Sequence, residues 1–71
     1  MTLGNNLRRL RFEHGEITQQ ALANEVGVTR LTIHSIEKRK FIPSTLLALK
    51  LARFFGKTVE DIFFIVDEEA S

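Results

Sequence analysis

The chain has 71 residues, with ten Lys and Arg against nine Asp and Glu and no cysteine or tryptophan. A chain this short is expected to form one domain, residues 1–71, around a small core. Without cysteine it has neither a disulfide framework nor a Cys-based zinc site, so a reducing cytoplasm is the expected compartment; its longest apolar stretches, Leu46 to Leu49 and Ile62 to Val66, fall far short of a membrane span, and no apolar signal segment opens the chain.

The formal charge of +1 conceals a division. Residues 1–57 carry all ten cations and four acids (Glu13, Glu16, Glu25 and Glu37), a net +6, whereas residues 58–71 carry five acids and no base, a net −5. The basic part has the charge of a phosphate-binding footprint. The acidic tail would face away from such a partner, and its simplest role is solubility.

Hydrophobic periodicity predicts five helices, with no repeat, low-complexity run or linker. The first spans about Asn5 to Glu13 and places Leu7, Leu10 and Arg11 on one face. Thr18 offers a side-chain oxygen to the free N–H groups of the second, Gln19 to Asn24 or Glu25, where Leu22 and Val26 repeat at i and i+4. Gly27 ends it, since glycine takes left-handed backbone angles at little cost. Thr29 caps the third, Arg30 to Glu37, with Ile33, Ile36 and Glu37 on one side and Leu31, His34, Ser35 and Lys38 on the other. Phe41-Ile42-Pro43 is extended, because the residue before a proline avoids helix. Ser44 caps the fourth helix, which ends at Phe54 or Phe55 before Gly56, and Thr58 caps a short fifth through Phe63. Phe64-Ile65-Val66 reads as a brief strand from its apolar and β-branched content, with Met1 to Leu3 as its candidate partner. The fold class is all-α: five helices, with a short terminal strand pair as an option.

Residues 18–37 carry the functional signal. Two threonine caps around a glycine turn read as a helix-turn-helix, and Ala23 is small where the two helices would cross closely. The same caps could join two helices of any bundle. Lys38-Arg39-Lys40 follow at once; beside a groove-entering helix they would meet phosphates, and on a solvated helix end they would simply suit the dipole. Glu37 shares a face with Ile33 and Ile36, where a lone carboxylate would be costly. Arg11 is its natural partner; the alternative is a Glu37 that reaches solvent at the domain edge.

No catalytic set is visible, and no cofactor or metal is expected. His34 and Ser35 are helix neighbours that point about 100° apart, and His14 reads as a surface loop residue. Six phenylalanines would suit a stacking platform for single strands, yet Phe54, Phe55, Phe63 and Phe64 gather away from the basic face, so core and dimer packing explains them better. Val59, Ile62, Phe63, Phe64, Ile65 and Val66 are more apolar surface than so small a domain hides alone, and this marks residues 58–67 as a homodimer interface. The alternative is that they fold back onto the first and fourth helices of their own chain.

The run Thr18-Gln19, Leu22-Ala23, Gly27, Ile33 and Ile36-Glu37 resembles the Cro and phage-repressor helix-turn-helix family. The likeness continues through Pro43-Ser44, Leu47 to Ala52 and Val59 to Phe63, and is strongest to short stand-alone bacterial repressors of the cytolysin-repressor type. Two features depart from the pattern: Leu31 occupies a position that is often polar, so no relative's operator transfers, and the stretch at His14-Gly15-Glu16-Ile17 is one residue longer. The resemblance implies a five-helix repressor-like domain, a buried Arg11 and Glu37 pair, and a homodimeric regulator, a repressor, that reads a palindromic operator in duplex DNA. It implies base contacts from Arg30, Leu31, His34 and Ser35, with Arg30 suited to guanine and Leu31 to a thymine methyl. Gln19, Thr29, Thr32, Lys38, Arg39 and Lys40 would bind phosphates. The rival is an antitoxin-type module whose main partner is a protein and whose DNA binding is autoregulatory.

Overall fold

The computed structural model describes residues 1–67, in the order β1 (Thr2–Asn5), α1 (Leu7–Glu13), α2 (Gln19–Val26), α3 (Arg30–Glu37), α4 (Thr45–Phe55), α5 (Val59–Ile62) and β2 (Phe63–Val66). The chain is thus mostly helical, with one two-stranded antiparallel sheet joining its ends. Glu68 and Glu69 of the acidic tail lie outside the described residues. No described helix is long and apolar enough to cross a membrane.

Local chemistry sets the helix starts. Thr18, Thr29, Ser44 and Thr58 each accept a hydrogen bond from the backbone N–H three residues on, at Ala21, Thr32, Leu47 and Asp61, satisfying a donor that the first turn leaves free. At Thr58 the exchange is reciprocal, since the Asp61 carboxylate accepts from the Thr58 N–H at 3.1 Å. Gly27 and Gly56 end α2 and α4 with φ of 76° and 66°. Helix α3 ends in the same way without a glycine: Arg39 takes φ 62°, its N–H donates to the Ile36 carbonyl and that of Lys40 to Ser35, both at 2.9 Å.

The core gathers Leu7 and Leu10 of α1, Leu22, Ala23 and Val26 of α2, Ile33 and Ile36 of α3, and the buried face of α4 around Leu51. Ala23 has no exposed surface, as a close α2–α3 crossing requires. Ile62 is fully buried and Phe63 is 7% exposed, so these two are core residues of their own chain and turn away from any partner. Phe64 and Ile65 face outward at 39% and 67%, and Val59 and Val66 are half-buried.

Three helix boundaries differ from the sequence expectation, the first being that α2 runs on to Val26, past the expected Asn24 or Glu25. Helix α1 begins at Leu7, because Asn5 belongs to β1, where it pairs with Phe63. The Asn5 side chain instead serves the helix, with Oδ1 accepting from Leu7 N–H at 3.1 Å and Nδ2 donating to the Ile36 carbonyl at 2.8 Å. Helix α5 stops at Ile62, since Phe63 is extended (φ −114°, ψ 140°) to enter the ladder. The sheet register, Thr2 to Val66, Leu3 to Ile65, Gly4 to Phe64 and Asn5 to Phe63, demands Gly4: a Cβ there would lie 2.6 Å from the Phe64 ring and 2.7 Å from a Val66 methyl.

The α1–α2 turn contains two successive left-handed residues, Gly15 (φ 80°) and Glu16 (φ 56°). They bring the Ile17 N–H to the Arg11 carbonyl at 3.1 Å. His14, expected on a plain surface loop, is exposed but packs its ring against Phe54 and Phe55, with centroids 5.0 and 5.6 Å away.

Candidate nucleic-acid interface

Arg11 lies one helical turn beyond Leu7 on the inner side of α1, opposite Glu37 at the end of α3. The two form a forked pair, Nε to Oε2 at 2.7 Å and Nη2 to Oε1 at 3.0 Å, with side chains only 16% and 8% exposed. Arg11 Nη1 also donates to the Ile17 carbonyl at 3.0 Å, tying the α1–α2 turn to the pair. A guanidinium suits this place because its planar fork satisfies both carboxylate oxygens and still has donors to spare.

Gln19, the first residue of α2, joins this pair to the outer face of α3. Its Nε2 donates to Glu37 Oε1 at 3.1 Å and lies 3.5 Å from His34 Nδ1, while its Oε1 accepts from Arg30 Nη1 at 3.2 Å. One chain of hydrogen bonds therefore runs from exposed Arg30 through Gln19 and Glu37 to Arg11 and the Ile17 carbonyl. The sequence pattern suggests Gln19 as a phosphate ligand, and it does not foretell this place in the hydrogen-bond chain, which depends on contacts from α2 to α3.

The remaining residues of interest lie along α3 and its end. Arg30 and Leu31 are exposed, Leu31 by 64%, and His34 and Ser35 are half-buried beside them. Thr29 caps the helix and its hydroxyl lies 3.1 Å from that of Thr32. Lys38, Arg39 and Lys40 are all exposed. A cleft of about 310 Å³ between α1 and α3 is lined by Arg8, Arg11, Gln19, His34, Glu37 and Lys38. Arg8 escaped the sequence reading, although its i, i+3 spacing to Arg11 places both on one side of α1. No group of His, Asp or Glu able to hold a metal ion occurs among the described residues.

A protein-family model described as helix-turn-helix matches residues 7–62. The chain belongs to the helix-turn-helix family, of the Cro/C1 type. It is similar along nearly its whole length to proteins named as uncharacterized HTH-type transcriptional regulators. One from Methanocaldococcus jannaschii is 49% identical, the match covering 92% of this chain and 97% of that protein. One from Archaeoglobus fulgidus is 48% identical over 89% of each, and YgzD of Bacillus subtilis is 42% identical over 90% of this chain and 96% of its own. The likeness therefore extends to archaeal proteins, beyond the bacterial and phage repressors that the motif first suggested. The helix-turn-helix match covers α1 to α5, the elements that frame the charged cleft and the exposed face of α3.

Proposed function

We propose that this helix-turn-helix protein is a transcriptional regulator that binds duplex DNA as a homodimer and represses by occupying a palindromic operator. The observation that carries the reading is the tether on Arg30: an exposed guanidinium at the start of α3, held by Gln19 above a buried ion pair, is an aimed donor. An aimed fork suits the O6 and N7 acceptors of guanine in the major groove. Leu31, His34 and Ser35 continue the reading face, with Gln19, Thr29, Thr32 and Lys38 to Lys40 at its margins to position the backbone. The naming of the three relatives as transcriptional regulators supports the same reading. Work on DNA makes the cytoplasm its place of action.

The dimer rests on the outward Phe64 and Ile65, with half-buried Val59 and Val66 beside them. Two-fold association would set two copies of α3 about 34 Å apart and half-sites about 10 base pairs apart. The test is selection of bound duplexes from a random pool, followed by affinity measurements. Arg30→Ala is expected to cost about 1–3 kcal/mol on the selected duplex and less on random DNA; equal losses on both would make Arg30 a phosphate ligand. Sedimentation equilibrium tests the dimer: Ile65→Asp should yield monomers, and a monomeric wild type would refute constitutive association.

A further inference from the structure

We propose that the cleft between α1 and α3 is a seat for one backbone phosphate of the duplex, held by Arg8 from one wall and Lys38 from the other. The inference rests on the DNA-binding reading above and extends the grip to α1, which lies outside the helix-turn-helix. The cleft's lining is charged or polar throughout: Arg8, Arg11, Gln19, His34, Glu37 and Lys38. Glu37 is the one acid among them, and Arg11 neutralises it with two hydrogen bonds. Arg8 and Lys38 are exposed, and neither side chain has an ion-pair partner among the described residues. The cleft therefore has two uncommitted cations facing a space of about 310 Å³.

The neighbouring Arg9 supplies the contrast. It points along the outside of α1 and pairs with Glu13 at 3.6 Å. Arg8 also stands on the rim of a second cleft, with Asn5, Asn6, Arg9 and Phe12, but that one holds an exposed aromatic and an already paired cation. The α1–α3 cleft is continuous, through Gln19, with the residue that holds Arg30. A strand running past α3 in a groove would bring a phosphodiester to it. An anion there would be held by one charge on α1 and one just past the end of α3, a grip that adds affinity without reading a base.

The experiment is a salt titration of binding to a duplex selected from a random pool, read by fluorescence anisotropy. The Arg8→Gln, Lys38→Gln double variant is expected to lower the slope of log affinity against log salt by about 0.9, one phosphate's worth, while keeping the wild-type order of preference among duplexes. The Arg9→Gln, Lys38→Gln variant has the same net charge and is expected to lose less. Equal slopes for these two variants, or a wild-type slope in the first, would overturn the seat and leave DNA binding standing. A wild-type chain that binds no duplex would overturn both.

Discussion

Where α1, α2 and α3 meet, the chain buries a charged pair and links it by hydrogen bonds to an exposed face; where its two ends meet, β1, β2 and α5 are joined by steric fit, ladder bonds and a helix cap, and the buried residues there, Gly4, Ile62 and Phe63, are uncharged. The first region depends on which charges stand at which positions. Apolar packing could hold three helices together as firmly, but it could not hold Arg30 in a fixed direction. The second region depends on shape, and its failure would lower stability while leaving the direction of Arg30 alone. Substitutions in the two regions should therefore separate stability from recognition.

The largest effect is expected at the ion pair. Arg11→Met strands the Glu37 carboxylate at 8% side-chain exposure and should cost about 3 kcal/mol in urea unfolding. Adding Glu37→Leu removes the stranded charge and should restore most of that stability, since an apolar pair of similar size is often as stable as a buried ionic one. The double variant has nonetheless lost the acceptor that holds Gln19. It should fold well and discriminate poorly between the selected and random duplexes; unchanged discrimination would mean that Arg30 needs no tether.

At the other region, Gly4→Ala puts a methyl within 2.6 Å of the Phe64 ring and should cost about 1–2 kcal/mol by overpacking. The ring is partly exposed and can yield, which keeps the cost at the lower end of that class. Combined with Phe64→Ala, the penalty should be smaller than the sum of the two single changes. For Gly4→Ala, discrimination between selected and random duplexes should be that of the wild type, and a change would join the two regions that the structure separates.

The same contrast explains what the sequence made legible. Caps at Thr18, Thr29, Ser44 and Thr58 and stops at Gly27 and Gly56 act over three or four residues, so each could be read from its neighbours alone. The Arg11 and Glu37 pair could be reasoned out because a buried carboxylate demands a cation. The strand boundary at Asn5 and the role of Gln19 could not. Asn5 and Asn6 bond to carbonyls 31 and 55 positions away, at Ile36 and Asp61, and Gln19 reaches residues 11 and 18 positions on, at Arg30 and Glu37. Contacts of that range leave no periodic trace. The apolar run from Ile62 to Val66 misled in part for the opposite reason: its composition shows hydrophobicity but not that Ile62 and Phe63 are buried while Phe64 and Ile65 face outward.

A smaller effect is expected at the α5 cap. Thr58→Ala should cost about 1 kcal/mol. Hydrogen bonds from the Thr58 backbone and hydroxyl hold the Asp61 carboxyl below the usual carboxylate range, with burial opposing weakly and Lys57 assisting. Because the folded state favours the ionised form, its contribution is whole above the unfolded value of about 3.9 and fades as pH falls through the folded one. The stability gap between wild type and Asp61→Asn should therefore shrink as pH drops below about 4, and a gap that persisted there would mean that the carboxylate's charge is not what closes the cap.

The smallest effect should also divide stability from binding within one residue. Arg39 ends α3 at φ 62°, a conformation that suits glycine and strains a residue with a Cβ by about 1 kcal/mol or more. Arg39→Gly relieves that strain but gives the unfolded chain more freedom, so a net gain of about 0.5 kcal/mol is expected in thermal unfolding. If Arg39 binds a phosphate, the same change should lower the salt slope of DNA binding by about 0.9. A chain that is more stable and less adhesive would explain why a strained arginine stands where the local geometry favours glycine. Greater stability with an unchanged slope would show instead that the side chain points to solvent, and would leave Lys38 and Lys40 as the cations that follow the reading helix onto the backbone.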